Sequence, residues 1–158
     1  MISVKTKFIF IFFFLLGILI FFYSSNEKKI AIQNITDIQN LDENFILINF
    51  WAPWCKPCFE EIPDIVNFHD SNENKDLIVV GPSFGDKVNT NEVIKKLNIK
   101  YHVFLAGSDE VEFMEANGNP DFKLPQTILI DPEKNQTFSK IGILQDKDFK
   151  LIKKILNE

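Results

Sequence analysis

The sequence predicts an α/β sandwich, a mixed sheet with helices on both faces. Short apolar runs at 45–50, 77–80 and 128–130 have the length of buried strands. Between them lie segments with apolar residues at helical spacing. The element order is βαβ, then αβ with a short helix, then ββα, which is an order for layers rather than for a barrel or a bundle.

Taken along the chain, Ile30-Ala31-Ile32 reads as a first edge strand and residues 37–41 as a short helix. Residues 45–50 are apolar on both faces except at Asn49, as a central strand covered on both sides should be. After Cys58, Phe59, Ile62, Ile65 and Val66 mark one helical face, and Pro63 is expected to kink or interrupt that helix. The strand at 77–80 should end at Gly81-Pro82. Thr90 or Asn91 can cap a helix carrying Val93, Ile94 and Leu97. A strand at 101–105 follows, then a short helix with Val111 and Met114 that Gly118 breaks. Residues 128–130 form a strand entered through Pro125 and left through Asp131-Pro132, and residues 137–141 return as its hairpin partner. Asp146 is expected to cap a last helix with Phe149, Ile152, Ile155 and Leu156 on one stripe; Lys150, Lys153 and Lys154 gather late, where they suit the dipole.

The chemistry concentrates in Trp51-Ala52-Pro53-Trp54-Cys55-Lys56-Pro57-Cys58, which holds the only two cysteines. A Cys-x-x-Cys pair between a strand and a helix is placed for redox work, because free N–H groups and the helix dipole stabilise a thiolate there. The thiolate attacks disulfides, and a second thiol three residues on can release the mixed disulfide. A purely structural bridge over so short a loop removes little unfolded-state entropy. Zinc wants four ligands, and the only histidines, His69 and His102, stand far apart without a second cysteine pair.

Residues 8–23 are an unbroken apolar stretch preceded by Lys5 and Lys7. It is slightly short of the roughly 20 residues that span a bilayer, and flanking lysines can make up the difference. The exit, Phe21-Phe22-Tyr23-Ser24-Ser25-Asn26, fits an A-x-A-like cleavage site poorly, so an uncleaved signal-anchor over 1–25 is favoured over a cleaved signal. Lys5 and Lys7 put the N-terminus in the cytoplasm, although Lys28 and Lys29 weaken that bias. The folded domain, 26–158, would then face the periplasm or cell exterior from a single pass in the cytoplasmic membrane. Residues 1–25 carry only Lys5 and Lys7, so removing that +2 from the chain's −5 leaves −7. Such a domain is not built to bind nucleic acid by counterion release.

Cys55-Lys56-Pro57-Cys58-Phe59-Glu60-Glu61-Ile62-Pro63 is similar to the Cys-x-Pro-Cys-x-x-Glu-x-Pro signature of the TlpA/ResA/CcmG group of the thioredoxin superfamily. Leu124-Pro125-Gln126-Thr127-Ile128-Leu129-Ile130-Asp131 resembles that group's Pro-x-Thr-(apolar)3-Asp segment, and Asn49 stands where thioredoxin has a buried aspartate. The likeness covers roughly residues 40–157. The run 106–123, with Ala116-Asn117-Gly118-Asn119, departs from it, and the N-terminal hairpin is abbreviated.

The resemblance implies a thioredoxin-like three-layer sandwich and a membrane-anchored, extracytoplasmic thiol–disulfide oxidoreductase. Cys55 would be the nucleophile and Cys58 the resolving thiol, with no cofactor beyond their redox-active disulfide. Glu61, on the face of Cys58, would exchange a proton with that thiol and have a raised pKa; Glu60 is expected to be solvated. Lys56 either supports the thiolate or is simply solvated. Trp54, Pro57, Leu124, Pro125 and Gln126 are the expected substrate contacts, with Trp51 either shielding the dithiol or packing the core. The Leu124–Pro125 bond is expected to be cis and against the dithiol, with an unpaired strand edge behind it for an extended substrate. Proline before the second cysteine favours a reductase of protein disulfides, apocytochrome c among them, fed by a membrane thiol donor. A disulfide oxidase or isomerase is the alternative, and a Cu(I) metallochaperone using the two thiolates is the alternative of another class.

Overall fold

The computed structural model describes residues 32–39, 41, 44–71 and 76–157. Within them the order is α1 (Ile35–Gln39), β1 (Phe45–Phe50), α2 (Lys56–Ser71), β2 (Leu77–Ser83), α3 (Lys87–Lys96), β3 (His102–Leu105), α4 (Ser108–Ala116), β4 (Gln126–Ile130), β5 (Gln136–Ile141) and α5 (Asp146–Ile155). The described strands form one sheet in the order β3-β2-β1-β4-β5. β1 runs parallel to β2 and antiparallel to β4; β2 runs parallel to β3, and β4 antiparallel to β5. The mixed α/β sandwich is therefore as the sequence predicts.

Alternation along the central strands sorts the core into two. Leu47, Trp51, Val79 and Leu129 join Ile62 and Ile65 of α2, Val93 of α3 and Ile152 of α5. Ile46, Ile48, Phe50, Val80, Ile128 and Ile130 join Ile35 and Ile38 of α1 and Met114 of α4. Each fully buried aliphatic side chain of this kind contributes about 1.5–3 kcal/mol relative to exposure.

Several boundaries differ from expectation for identifiable reasons. Ile30 and Ala31, and the apolar stretch at 8–23, lie outside the described residues; Ile32 is buried but not in a strand. Among the described residues no helix is long and apolar enough to cross a membrane. α1 begins two residues before the predicted helix, where Asn34 Oδ1 accepts from Asp37 N at 2.9 Å. α2 runs unbroken through Pro63. Pro63 is on the exposed side, where water can satisfy the carbonyl it frees, while Cys58, Ile62, Ile65, Val66 and Phe68 hold both halves to the sheet.

β2 continues past Gly81-Pro82 to Ser83, since the Pro82 carbonyl accepts from Trp51 N at 3.1 Å. A Cβ on Gly81 would stand 2.9 Å from Tyr101 Cε2 and 3.0 Å from Trp51 Nε1, so only glycine lets the strand pass. Asp86, not Thr90 or Asn91, caps α3, accepting from Val88 N at 2.9 Å and Asn89 N at 3.0 Å. Thr90 is buried instead, its hydroxyl 2.9 Å from that of Ser83. At α5 the cap is Gln145, whose N–H donates to the Asp148 carboxylate at 2.9 Å; Asp146 already lies in the helix.

Candidate active site

β1 delivers the chain to the dithiol. Trp51 still bridges to Ser83, a turn passes through Pro53 and Trp54, and α2 begins at Lys56. Cys55 is therefore the residue before the helix. Its Sγ accepts the Cys58 N–H at 3.3 Å, an amide that also donates to the Cys55 carbonyl at 3.1 Å. Pro57 sits in the first turn, where its missing N–H costs nothing. Cys55 and Cys58 are joined as a disulfide, S–S 2.02 Å and Cα–Cα 5.3 Å. Cys55 keeps 4% of its surface exposed and Cys58 none, so an outside reactant meets Cys55.

Glu61 lies one turn after Cys58 and is fully buried. Its Oε1 accepts from Asn49 Nδ2 at 2.7 Å and its Oε2 from Leu144 N at 2.5 Å. The same Asn49 amide donates to Thr127 Oγ1 at 2.9 Å. Burial pushes the Glu61 pKa up from 4.5 to about 7; the Leu144 and Asn49 donors oppose the rise, and the charges of Asp64 and Asp148 add to it. The carboxyl therefore exchanges a proton near neutrality, the range in which a buried thiol needs a base. Glu60 is exposed, as expected. Burial, and after it the Glu61 charge, push the phenol of neighbouring Tyr101 upward as well. Among the described residues, Asn49 Oδ1, Trp51 Nε1 and Tyr101 OH are buried without a partner.

The segment before β4 reaches the same end of the sheet. The pairing Phe50↔Gln126 carries Leu124-Pro125 alongside Trp51-Ala52 when the antiparallel register is continued. The Leu124–Pro125 bond is cis. Leu124 is half-buried against both cores, and Pro125 is buried with its carbonyl accepting Gly142 N at 2.8 Å. β4 has no free edge, since β1 and β5 flank it; the outer strands are β3 and β5. The expected strand-edge platform behind Pro125 is therefore absent from β4.

The remaining predicted residues divide. Trp54 is 73% exposed beside Cys55, and Pro57 and Lys56 are exposed. Trp51 is wholly buried in the cluster that contains both cysteines. Gln126 is also wholly buried: its Oε1 accepts from Asn119 Nδ2 at 3.0 Å and its Nε2 donates to the Asn117 carbonyl at 3.2 Å. That corrects its assignment as a substrate contact, because its side chain is spent holding the preceding loop. His69 pairs with Asp70 at 3.2 Å and His102 is exposed on β3, so neither joins the site. Among the described residues no cluster of three His, Cys, Asp or Glu side chains gathers that could hold a metal ion. Sequence reasoning missed Leu144 N and the Asn49 amide as partners of Glu61. A lone Asn in an apolar central strand was the available signal for the second.

The pattern of the AhpC/TSA family matches residues 23–139. The chain is 26% identical over 110 residues to "Thiol-disulfide oxidoreductase ResA" of Bacillus subtilis (strain 168), covering 69% of this chain and 56% of that protein. It is 24% identical over 111 residues to "Thioredoxin-like protein YneN" of the same organism, covering 70% and 59%. It thus spans less than two thirds of the length of these relatives. A thiol:disulfide interchange protein of the thioredoxin family from Chlorobium tepidum TLS has the same fold, with TM-score 0.67 at 24% identity over 76% of this chain and 84% of that one. StoA from Bacillus subtilis superposes with TM-score 0.60 at 19% identity, over 75% and 85%.

Proposed function

The chain belongs to the AhpC/TSA family and has the thioredoxin-like fold, and on that premise we propose that it is a thiol–disulfide oxidoreductase that reduces protein disulfides. One observation carries the reading. The Cys55 sulfur is capped by a helix amide while a carboxyl with a near-neutral pKa is buried one turn beyond Cys58.

In the reduced protein the Cys55 thiolate attacks one sulfur of the substrate disulfide. A Cys55–substrate disulfide forms and the substrate's other sulfur leaves as a thiolate. Cys58 gives its proton to Glu61 and attacks Cys55 Sγ. The second substrate sulfur then leaves, and the Cys55–Cys58 disulfide remains. Two electrons have passed to the substrate, and an external dithiol must return them. Leu124 backbone, Trp54 and Pro57 receive the polypeptide around its cysteine.

The apolar stretch at 8–23 supports a membrane-anchored protein whose domain lies outside the cytoplasm. That space is oxidising, so a membrane thiol donor would supply the electrons and apocytochrome c cysteines would be natural acceptors. Measuring the potential of the Cys55/Cys58 couple tests the direction. A value near thioredoxin's, about −270 mV, is expected; one near −120 mV would make the protein an oxidant. Fractionation with N-terminal sequencing tests the anchor, and a soluble product beginning near Ser25 would overturn it.

A further inference from the structure

Residues Asn119-Pro120-Asp121-Phe122 form a turn, with Phe122 N donating to the Asn119 carbonyl at 3.2 Å. Asn at the first position and Pro at the second suit such a turn, and glycine is the residue favoured at the fourth. Phe122 occupies that fourth position with φ +53°, a left-handed conformation that a bulky aromatic residue adopts at a cost. The ring is 44% exposed, so burial does not explain it fully.

The turn is held by more than its own hydrogen bond. Asn119 is 1% exposed; its Oδ1 accepts Lys123 N at 2.9 Å, and its Nδ2 donates to the Lys123 carbonyl at 2.9 Å and to Gln126 Oε1 at 3.0 Å. Its neighbours in sequence, Asp121 and Lys123, pair with each other at 2.7 Å, so the charges next to Phe122 in the chain neutralise one another. The turn leads directly into Leu124-Pro125, which the β1–β4 register sets beside the chain leaving for Cys55. Exposed Trp54 stands on that departing loop.

We propose that Phe122 is a specificity-determining residue: fixed by the Asn119 turn at the dithiol end of the sheet, its ring receives a bulky, uncharged apolar side chain within a few residues of the target cysteine. The preferred substrate is thus an extended polypeptide disulfide with an aromatic or large aliphatic neighbour. The inference rests on the oxidoreductase reading and names its substrate class.

The test compares two disulfide-linked peptides, identical except for Phe or Ser next to the cysteine, with hydroxyethyl disulfide as a small control. The wild type should reduce the Phe peptide with a kcat/KM about tenfold above the Ser peptide, the discrimination typical of one apolar contact. Phe122→Asn, which tolerates the left-handed conformation, should bring the two within about twofold and leave hydroxyethyl disulfide reduction unchanged. Its Tm should not fall, and Phe122→Tyr should keep the preference. A preference absent from the wild type or surviving in Phe122→Asn would overturn the proposal. So would a lowered Tm in Phe122→Asn, which would make the ring a packing residue. If the wild type failed to reduce hydroxyethyl disulfide, the oxidoreductase reading would fail, and the substrate class with it.

Discussion

The two faces of the β1–β4 ladder are made from the same two strands and differ in kind. One face presents Ile46, Ile48, Phe50, Ile128 and Ile130, all buried and apolar, to α1 and α4. The other presents Leu47, Asn49, Trp51, Thr127 and Leu129 to α2, whose buried face carries Cys58 and Glu61. Because side chains alternate, a single residue step separates Ile48 from Asn49 and Ile128 from Thr127. The strands thus hold a dry layer that stabilises the fold back to back with a layer that keeps a carboxyl buried at a cost. The reactive layer can carry that cost because the other does not share it.

Five substitutions break or sharpen this contrast. The largest effect belongs to Cys55→Ser, which should reduce insulin-disulfide reduction to background, while Cys58→Ser accumulates mixed disulfides seen on non-reducing gels. In the reduced wild type Cys55 should be the faster thiol to alkylate, given its small exposure and its place at the helix start. Faster alkylation of Cys58 would reverse the assigned roles.

Ile128→Ala, on the dry face, should cost about 2–5 kcal/mol in denaturant unfolding, the range for truncating a fully buried aliphatic residue. The Cys55 alkylation rate should stay unchanged. A large change in that rate would show that the two layers are not independent.

Glu61→Gln should do the opposite, raising stability and slowing exchange. With a folded pKa of about 7 against an ordinary 4.5, the native state keeps a proton that the unfolded state has released. Glu61 therefore lowers stability progressively as pH rises from about 4.5 to 7, and its effect is level above that. Chemical unfolding across this window should show Glu61→Gln gaining on the wild type by at most about 3 kcal/mol at pH 7 and above, and by nothing near pH 4. Turnover near neutrality should fall for want of a base. A constant stability difference at all pH values would remove Glu61 as a titrating group.

The smallest stability effect is expected for Trp54→Ala. At 73% exposure its loss should change unfolding free energy by less than about 0.5 kcal/mol while slowing exchange with protein disulfides more than with a small disulfide. A clear drop in Tm would assign Trp54 to packing.

The features legible in the sequence were those set by neighbours along the chain. The apolar run at 45–50, the Cys-x-x-Cys spacing and the Leu124-Pro125 pair each show in local pattern, and each takes its expected form. The misplaced caps show the limit of that approach. Asp86, Thr90 and Asn91 are all competent N-caps, and what removes Thr90 is a bond to Ser83, fixed by how β2 meets α3. Gln126 looked available because it adjoins Pro125, but its face is decided by the pleat of β4 and by Asn119. Glu61 was flagged by its helical offset from Cys58, whereas its strongest opposing donor, Leu144 N, is 83 residues away and invisible to any local rule.

That long-range bond has a consequence for biosynthesis. Contacts between residues so far apart form late, because closing the chain between them has an entropic cost. A ribosome adding about 5–20 residues per second takes about 4–17 seconds to travel the 83 residues from Glu61 to Leu144. Until then the carboxylate has no such amide to accept and no completed core to exclude water from it. The nascent chain therefore carries an ordinary dithiol and an ordinary acid, and the tuned pair comes into being only when the C-terminal hairpin and helix have docked.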